Sequence, residues 1–185
     1  MKIHIENTPR AYDGTQLSAL FSYKTYKVQG DSISLFRGPC QVALTEMVDL
    51  EDVLAEDHIY SEDMLHFIIE HFDMDLEKTV TRQRLFIAVI KETLDARGIR
   101  GVTREGDDLF RGQDKLSVSI ATLSPVSSMI HTGLNISSHN TPVSTVSLQD
   151  LGIEDYLDFG TEVAEAYASE VASIKAARCK VRGVC

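Results

Sequence analysis

Cysteine is scarce in this chain, and that scarcity excludes two common frameworks. Three cysteines, Cys40, Cys179 and Cys185, stand far apart with no CxxC spacing, which argues against both a disulfide scaffold and a zinc site. Cations are also few: 18 Lys and Arg against 28 Asp and Glu give a formal charge of −10. Neutralising nucleic-acid phosphates needs a cationic face, so nonspecific nucleic-acid binding is disfavoured. No run approaches the roughly 20 apolar residues of a membrane span, and the start "MKIHIENTPR" lacks an apolar signal core. These absences lead to the expectation of a cytoplasmic protein without membrane or nucleic-acid partners. No stretch rich in Pro, Gly or Ser divides the chain, so residues 1–185 are expected to form one domain.

What is present is a pattern of short strands and a few helices. "KIHIE" alternates and reads as a strand, and Thr15 is placed to cap a helix over "QLSALFSYKTYKV" that ends at Gly30. "SISLFRG" predicts a strand entering a turn at Gly38-Pro39, followed by a second strand in "QVALTEM". "DMLHFIIEHFD" suits either element and is read as a strand, because a clearer helix follows it from a cap at Asp73 or Asp75 to Gly98. "GVTRE", "DDLFRG", "KLSVSIATL" and "SSMIHTGLNIS" read as further strands. Ser147 marks a short helix toward "EDYLDF", and "TEVAEAYASEVASIKAA" is an amphipathic helix. The expected class is α+β, a mostly antiparallel or mixed sheet with packed helices.

Within "KLSVSIATL", Leu116, Val118 and Ile120 share one face, while Ser117, Ser119 and Ala121 share the other. Small side chains on a sheet face leave room for something to lie against it. Lys115 precedes this strand and the pair Asp107-Asp108 lies just upstream. His58, His66, Glu70 and His71 form a loose group without HExxH spacing; strand geometry sends His66 and His71 to opposite faces, while His66 and Glu70 share one and are candidates for a metal or acid–base role. No metal site is assigned. Cys40, near Arg37, is a remote candidate for a reactive thiol, with a buried structural thiol as the alternative.

The order of these pieces resembles the biotin/lipoate protein ligase-like superfamily, related to class II aminoacyl-tRNA synthetases, and the whole chain looks like an uncharacterised prokaryotic family with that fold. "DDLFRGQDKLSVSI" is similar to the ligase pattern of an Asn-Asp pair followed by Lys-Leu-(Ala/Ser)-Gly. "IHTGLNIS" resembles both the ligases' Gly-(Ile/Leu)-Asn strand and the His-Gly-x-x-Leu-Asn stretch of lipoyl transferases. The resemblance implies a small carboxylic acid or acyl donor as ligand, a carrier protein as acceptor, ATP and Mg²⁺ as cofactors, and a homodimer. On it, Lys115 orients the carboxyl group and His131 moves a proton or bonds the carbonyl. Arg37, Gly38, Arg104, Gly106, Asp107, Asp108, Ser117, Ser119, Asn135 and Ser138 become the implied ligand-binding residues.

The chain departs from that pattern in four places. The Asn-Asp pair is Asp107-Asp108, and the glycine after Lys-x-Ser is Val118. Only Arg37-Gly38, followed by Pro39 with no N–H, stands where relatives carry a glycine-rich phosphate loop. Ser138 falls near the position of the transferases' cysteine, with His139 and His131 as bases that would have to activate it.

Overall fold

The computed structural model describes residues 1–55 and 59–184, so His58 and Cys185 lie outside the described residues. In chain order the elements are β1 (Lys2–Ile5), α1 (Phe21–Tyr26), β2 (Ser32–Val42), α2 (Leu50–Ala55), β3 (Ile59–His71), α3 (Leu76–Ala96), β4 (Val102–Glu105), β5 (Asp108–Arg111), β6 (Asp114–Lys115), β7 (Ser117–Leu123), β8 (Ser128–Asn135) and α4 (Tyr156–Ala177). One sheet has the order β1-β2-β3-β8-β7 and a second has β4-β5-β6. Among the named strands of the described residues, only the β1–β2 pair is parallel. The α+β expectation therefore holds, with a mixed sheet.

β3 explains the ambiguity of its own sequence. Leu65, Phe67 and Ile69 face a core shared with α3 and α4, while Met64 and Ile68 enter a second cluster with Tyr12, Phe21, Phe36 and Met129. A strand buried on both faces reads as a continuous apolar run and loses its period of two. α3 starts where the sequence suggests, with Asp75 Oδ1 accepting the Lys78 N–H at 2.9 Å. α4 approaches the sheet closely: a Cβ at Gly160 would sit 2.9 Å from the Leu35 methyl groups. This helix begins at Tyr156, so "YLDF" and the amphipathic tail form one element rather than two. Ser147 instead anchors a tight turn with Asp150, whose carboxylate accepts the Ser147 N–H at 3.0 Å and O–H at 2.6 Å.

Three expectations are corrected. The helix capped by Thr15 does not form; Thr15 donates to Asp13 Oδ1, and α1 is only six residues long. The reason lies in β3, where the buried Glu70 carboxylate accepts the Leu20 N–H at 2.8 Å and Leu20 adopts a φ of 64°. A helix running through Leu20 is incompatible with that capture.

Gly38-Pro39 makes no turn, and β2 runs through it with a bulge between Gly38 and Cys40. At a bulge the missing proline N–H costs no ladder bond. Finally, "KLSVSIATL" splits at Leu116: Lys115 pairs into the small sheet and Ser117 into the large one.

Gly38 has a structural duty at this bulge. A Cβ there would lie 2.1 Å from the Arg10 carbonyl oxygen, in a segment whose Arg10 N–H and Tyr12 N–H bond to Arg37 and Pro39 carbonyls. Gly38→Ala is expected to lower unfolding stability by about 1–3 kcal/mol through this overpacking. Urea denaturation checks it, and an unchanged midpoint would show that the 10–12 segment yields freely.

Candidate functional site

A cavity of about 400 Å³ opens on the sheet face opposite α3 and α4. Its floor is apolar and aromatic, built from Tyr12, Met64, Val118, Ile120 and His131. Gly133 keeps that floor open, since a Cβ there would meet the Met64 terminal methyl at 2.8 Å. Asp107, Asp108, Lys115 and Asn135 also line it, as do Glu46, Asp49 and Asp52.

Lys115 sits at the seam between the two sheets. Its N–H donates to the Ser144 carbonyl at 3.0 Å, and its carbonyl accepts from Val146 N–H at 3.1 Å and Asn135 Nδ2 at 3.2 Å. With its backbone held on both sides, the side chain reaches across the β5–β6 hairpin, placing Nζ 2.9 Å from Asp108 Oδ2. About a third of the lysine side chain remains exposed. Burial pushes the Asp108 carboxyl above its ordinary value, outweighing the nearby ammonium that pulls it down. Asp107 faces other partners: Gln83 Nε2 donates to it at 2.8 Å and Arg84 lies 3.3 Å away.

The floor carries a chain of two buried imidazoles. His66 Nε2 lies 3.1 Å from the Gly38 carbonyl, which can only accept, so Nε2 holds the hydrogen. His66 Nδ1 is then an acceptor, and His131 Nε2 donates to it at 3.1 Å. The tautomer of His131 is thus set from two residues away, leaving its Nδ1 as a lone-pair acceptor. Tyr12 stacks over His131 with ring centroids 3.7 Å apart. Burial holds His66 at about 4 and takes His131 well below the ordinary imidazole value, so both are neutral at pH 7.

Seven residues singled out from sequence meet at this cavity: Asp107, Asp108, Lys115, Ser117, Ser119, His131 and Asn135. Ser117 and Ser119 belong to that lining although β7 turns their side chains to the α3 face of the sheet, where their hydroxyls are engaged. Ser117 Oγ accepts the Leu109 N–H at 2.9 Å, and Ser119 Oγ accepts from Gln83 Nε2 at 3.0 Å. The space left by the small residues of β7 is taken by α3, which packs across that face.

Five others lie outside the lining. Arg37 pairs with Asp63, its guanidinium 4.9 Å from the Tyr156 ring centroid. Gly38 serves the bulge, Arg104 donates to the Gly106 carbonyl at 2.7 Å, and Gly106 has a φ of 61°. The Ser138 carbonyl accepts from Thr141 Oγ1. Cys40 is fully buried, and burial pushes its thiol up to about 12, so the structural alternative applies. His66 and His71 do face opposite ways, for His71 Nε2 meets Tyr167 Oη of α4 at 3.0 Å.

The cavity does not fit a nucleoside triphosphate. Its described lining has five carboxylates and one ammonium, and Arg37 faces elsewhere. Sequence reasoning missed Tyr12, the bonding of His66 to His131 and the Glu46–Asp52 rim, although the run from 46 to 77 holds no Lys or Arg.

The buried histidines generate a pH dependence. Near the ordinary imidazole value of about 6.5 the unfolded chain takes up protons. In the folded protein His66 and His71 refuse them down to about 4. Stability should therefore be complete above that ordinary value and fall as the pH drops through the window. Urea midpoints compared at about pH 7 and about pH 5 should decline, less steeply in His131→Phe; equal midpoints would contradict neutral burial.

Comparison with known proteins adds the family and the fold. Residues 1–182 match the family described as Domain of unknown function (DUF366). An uncharacterised protein of Methanocaldococcus jannaschii is 39% identical over 170 residues, covering 89% of this chain and 76% of that protein. A solved protein of unknown function from Pyrococcus horikoshi superposes with a TM-score of 0.94 at 36% identity, covering 100% of both chains. The biotin protein ligase of Aquifex aeolicus, solved with biotin and ATP, gives a TM-score of 0.64 at 12% identity over 94% of this chain and 72% of that one. A T. acidophilum protein provisionally assigned as a lipoate protein ligase, solved with lipoic acid, gives 0.64 at 10% identity over 93% and 86%. These last two establish a biotin/lipoate ligase-like fold and nothing finer. With a match over nearly its whole length, the chain belongs to the DUF366 family.

Proposed function

We propose that the cavity binds a small carboxylic acid or an acyl donor made from one, and that the protein is an acyl, biotinyl or lipoyl transferase or ligase-like enzyme. One observation carries this reading: Lys115, braced by Asp108 at 2.9 Å, is the only lysine or arginine among the described residues lining the cavity. An ammonium fixed on a rigid seam neutralises a carboxylate on binding and an oxyanion as it develops, without reorganisation at the moment of reaction. Neutral His131 supplies an acceptor elsewhere on the same lining. Structural neighbours with biotin and with lipoic acid in place support an acid of that general kind. A carrier protein bearing an amine is the acceptor in this reading, and a homodimer is its assembly.

A second reading rests on a different observation. Neither Cys40 nor Ser138 lines the cavity, and Gly38-Pro39 lies within a strand rather than in a phosphate-cradling loop. A protein that retained the pocket without the means of activation would bind its acid and not turn it over.

Lys115→Met combined with Asp108→Asn, which avoids leaving a carboxylate unpaired, should weaken binding of octanoate, lipoate or biotin about tenfold or more. Calorimetry measures this, with the fold checked by denaturation; undiminished affinity would remove Lys115 from the site. Mass spectrometry of wild type incubated with acid and ATP, or with an acyl thioester and an amine acceptor, separates the readings. An acyl adenylate or acylated amine supports the enzyme, and binding without product supports the second reading.

A further inference from the structure

The charge on the cavity wall does not suit an acid alone. Lys115 is already engaged by Asp108, while Asp107 has Arg84 at 3.3 Å. Glu46 and Asp49 then add negative charge to the lining. Asp49 accepts the Glu51 N–H, a bond that leaves its charge in place. Among the described residues, no three His, Cys, Asp or Glu side chains are grouped so as to hold a metal ion. The carboxylates are spread along a wall, which suits an organic cation better than a coordinated ion.

A second, independent observation concerns His131. It is only 3% exposed yet lines the cavity. Its Nε2 donates to His66, and its Nδ1 makes no hydrogen bond among the described residues. Burial keeps the ring neutral, so Nδ1 accepts and does not donate. Nδ1 belongs to a residue that lines the cavity, so a molecule bound there displaces its water and must answer this acceptor itself. A ligand N–H does so; a hydrocarbon tail strips the water and leaves the acceptor bare.

Resting on the carboxylic-acid reading above, we propose that the ligand is an amino acid-type zwitterion. Its carboxylate meets Lys115, and a protonated nitrogen elsewhere in the molecule answers the acidic rim and the His131 lone pair. Both ends then find opposite charge, and the excess of carboxylates on the wall has a purpose. A saturated fatty acid satisfies only one end. A nucleotide meets the wrong sign along most of the lining.

Matched pairs of straight-chain alkanoates and ω-aminoalkanoates, such as caproate and ε-aminocaproate, test this on the wild-type protein by calorimetry. The amino member of at least one pair should bind about tenfold more tightly at low ionic strength, with the preference shrinking as salt is raised. The double variant Glu46→Gln, Asp49→Asn should erase the preference while still binding the plain acid. Equal affinity within every pair, or a preference that survives the double variant, overturns the zwitterion and leaves the carboxylic-acid reading standing. If no member of any pair binds, both are overturned.

Discussion

The strand β3 has to be buried on both faces, and the rest of the molecule is arranged around that requirement. Leu65, Phe67 and Ile69 are covered by α3 and α4, which leaves Met64, Ile68 and two polar residues, His66 and Glu70, on the opposite side. No long helix covers that second face. The irregular segment around Tyr12, Phe21 and Leu17 does so instead, and it does so incompletely. A side chain such as Phe or Ile contributes about 1.5–3 kcal/mol when buried, so the coil is drawn down even at the cost of a left-handed Leu20. The cavity is what remains where the covering stops. Its floor is sheet, its walls are loops, and its position follows from which face the helices occupy.

The polar side chains that β3 turns to that second face, Glu70 and His66, have the partners their burial demands. Glu70 holds the Leu20 N–H and the Ser127 hydroxyl, tying the covering segment to the sheet. His66 is held by a backbone carbonyl at a bulge, and through it the tautomer of His131 is settled. Gly38 is central here, because its lack of a Cβ lets Arg10 approach while its carbonyl orients the imidazole chain. A residue that looked like the remnant of a phosphate loop turns out to organise the floor of the cavity by way of the backbone. Lys115 has an equivalent position at the far wall, where the break between β6 and β7 turns its side chain toward Asp108 and the cavity.

The candidate site was legible where chemistry is local in the chain. Asp107, Asp108 and Lys115 belong to one hairpin, and His131 and Asn135 lie on the strand that pairs with β7, so spacing and order brought them together on paper as they are brought together in space. The contacts of Tyr12 and His66 with His131 were not legible, because this stacking and hydrogen bonding join residues 119 and 65 positions apart through tertiary packing. Arg37 was misleading for the opposite reason. Alternation along β2 sends it to the side where Asp63 and Tyr156 wait, away from the cavity.

From the sequence by itself came the α+β class, the start of α3 at an Asp cap, the strands from 102 onward apart from the break at Leu116, and the group around Lys115. Each is governed by interactions within a few residues: side-chain periodicity, a cap, a hairpin. Tertiary structure alone decided that the helix after Thr15 is cut short, that Gly38-Pro39 is a bulge, and that β7's small-residue face receives α3 rather than a ligand. In each case a partner distant in the chain, Glu70, Arg10 or Gln83, offers a hydrogen bond or a close contact that outweighs a local preference of a few tenths to one kcal/mol per residue.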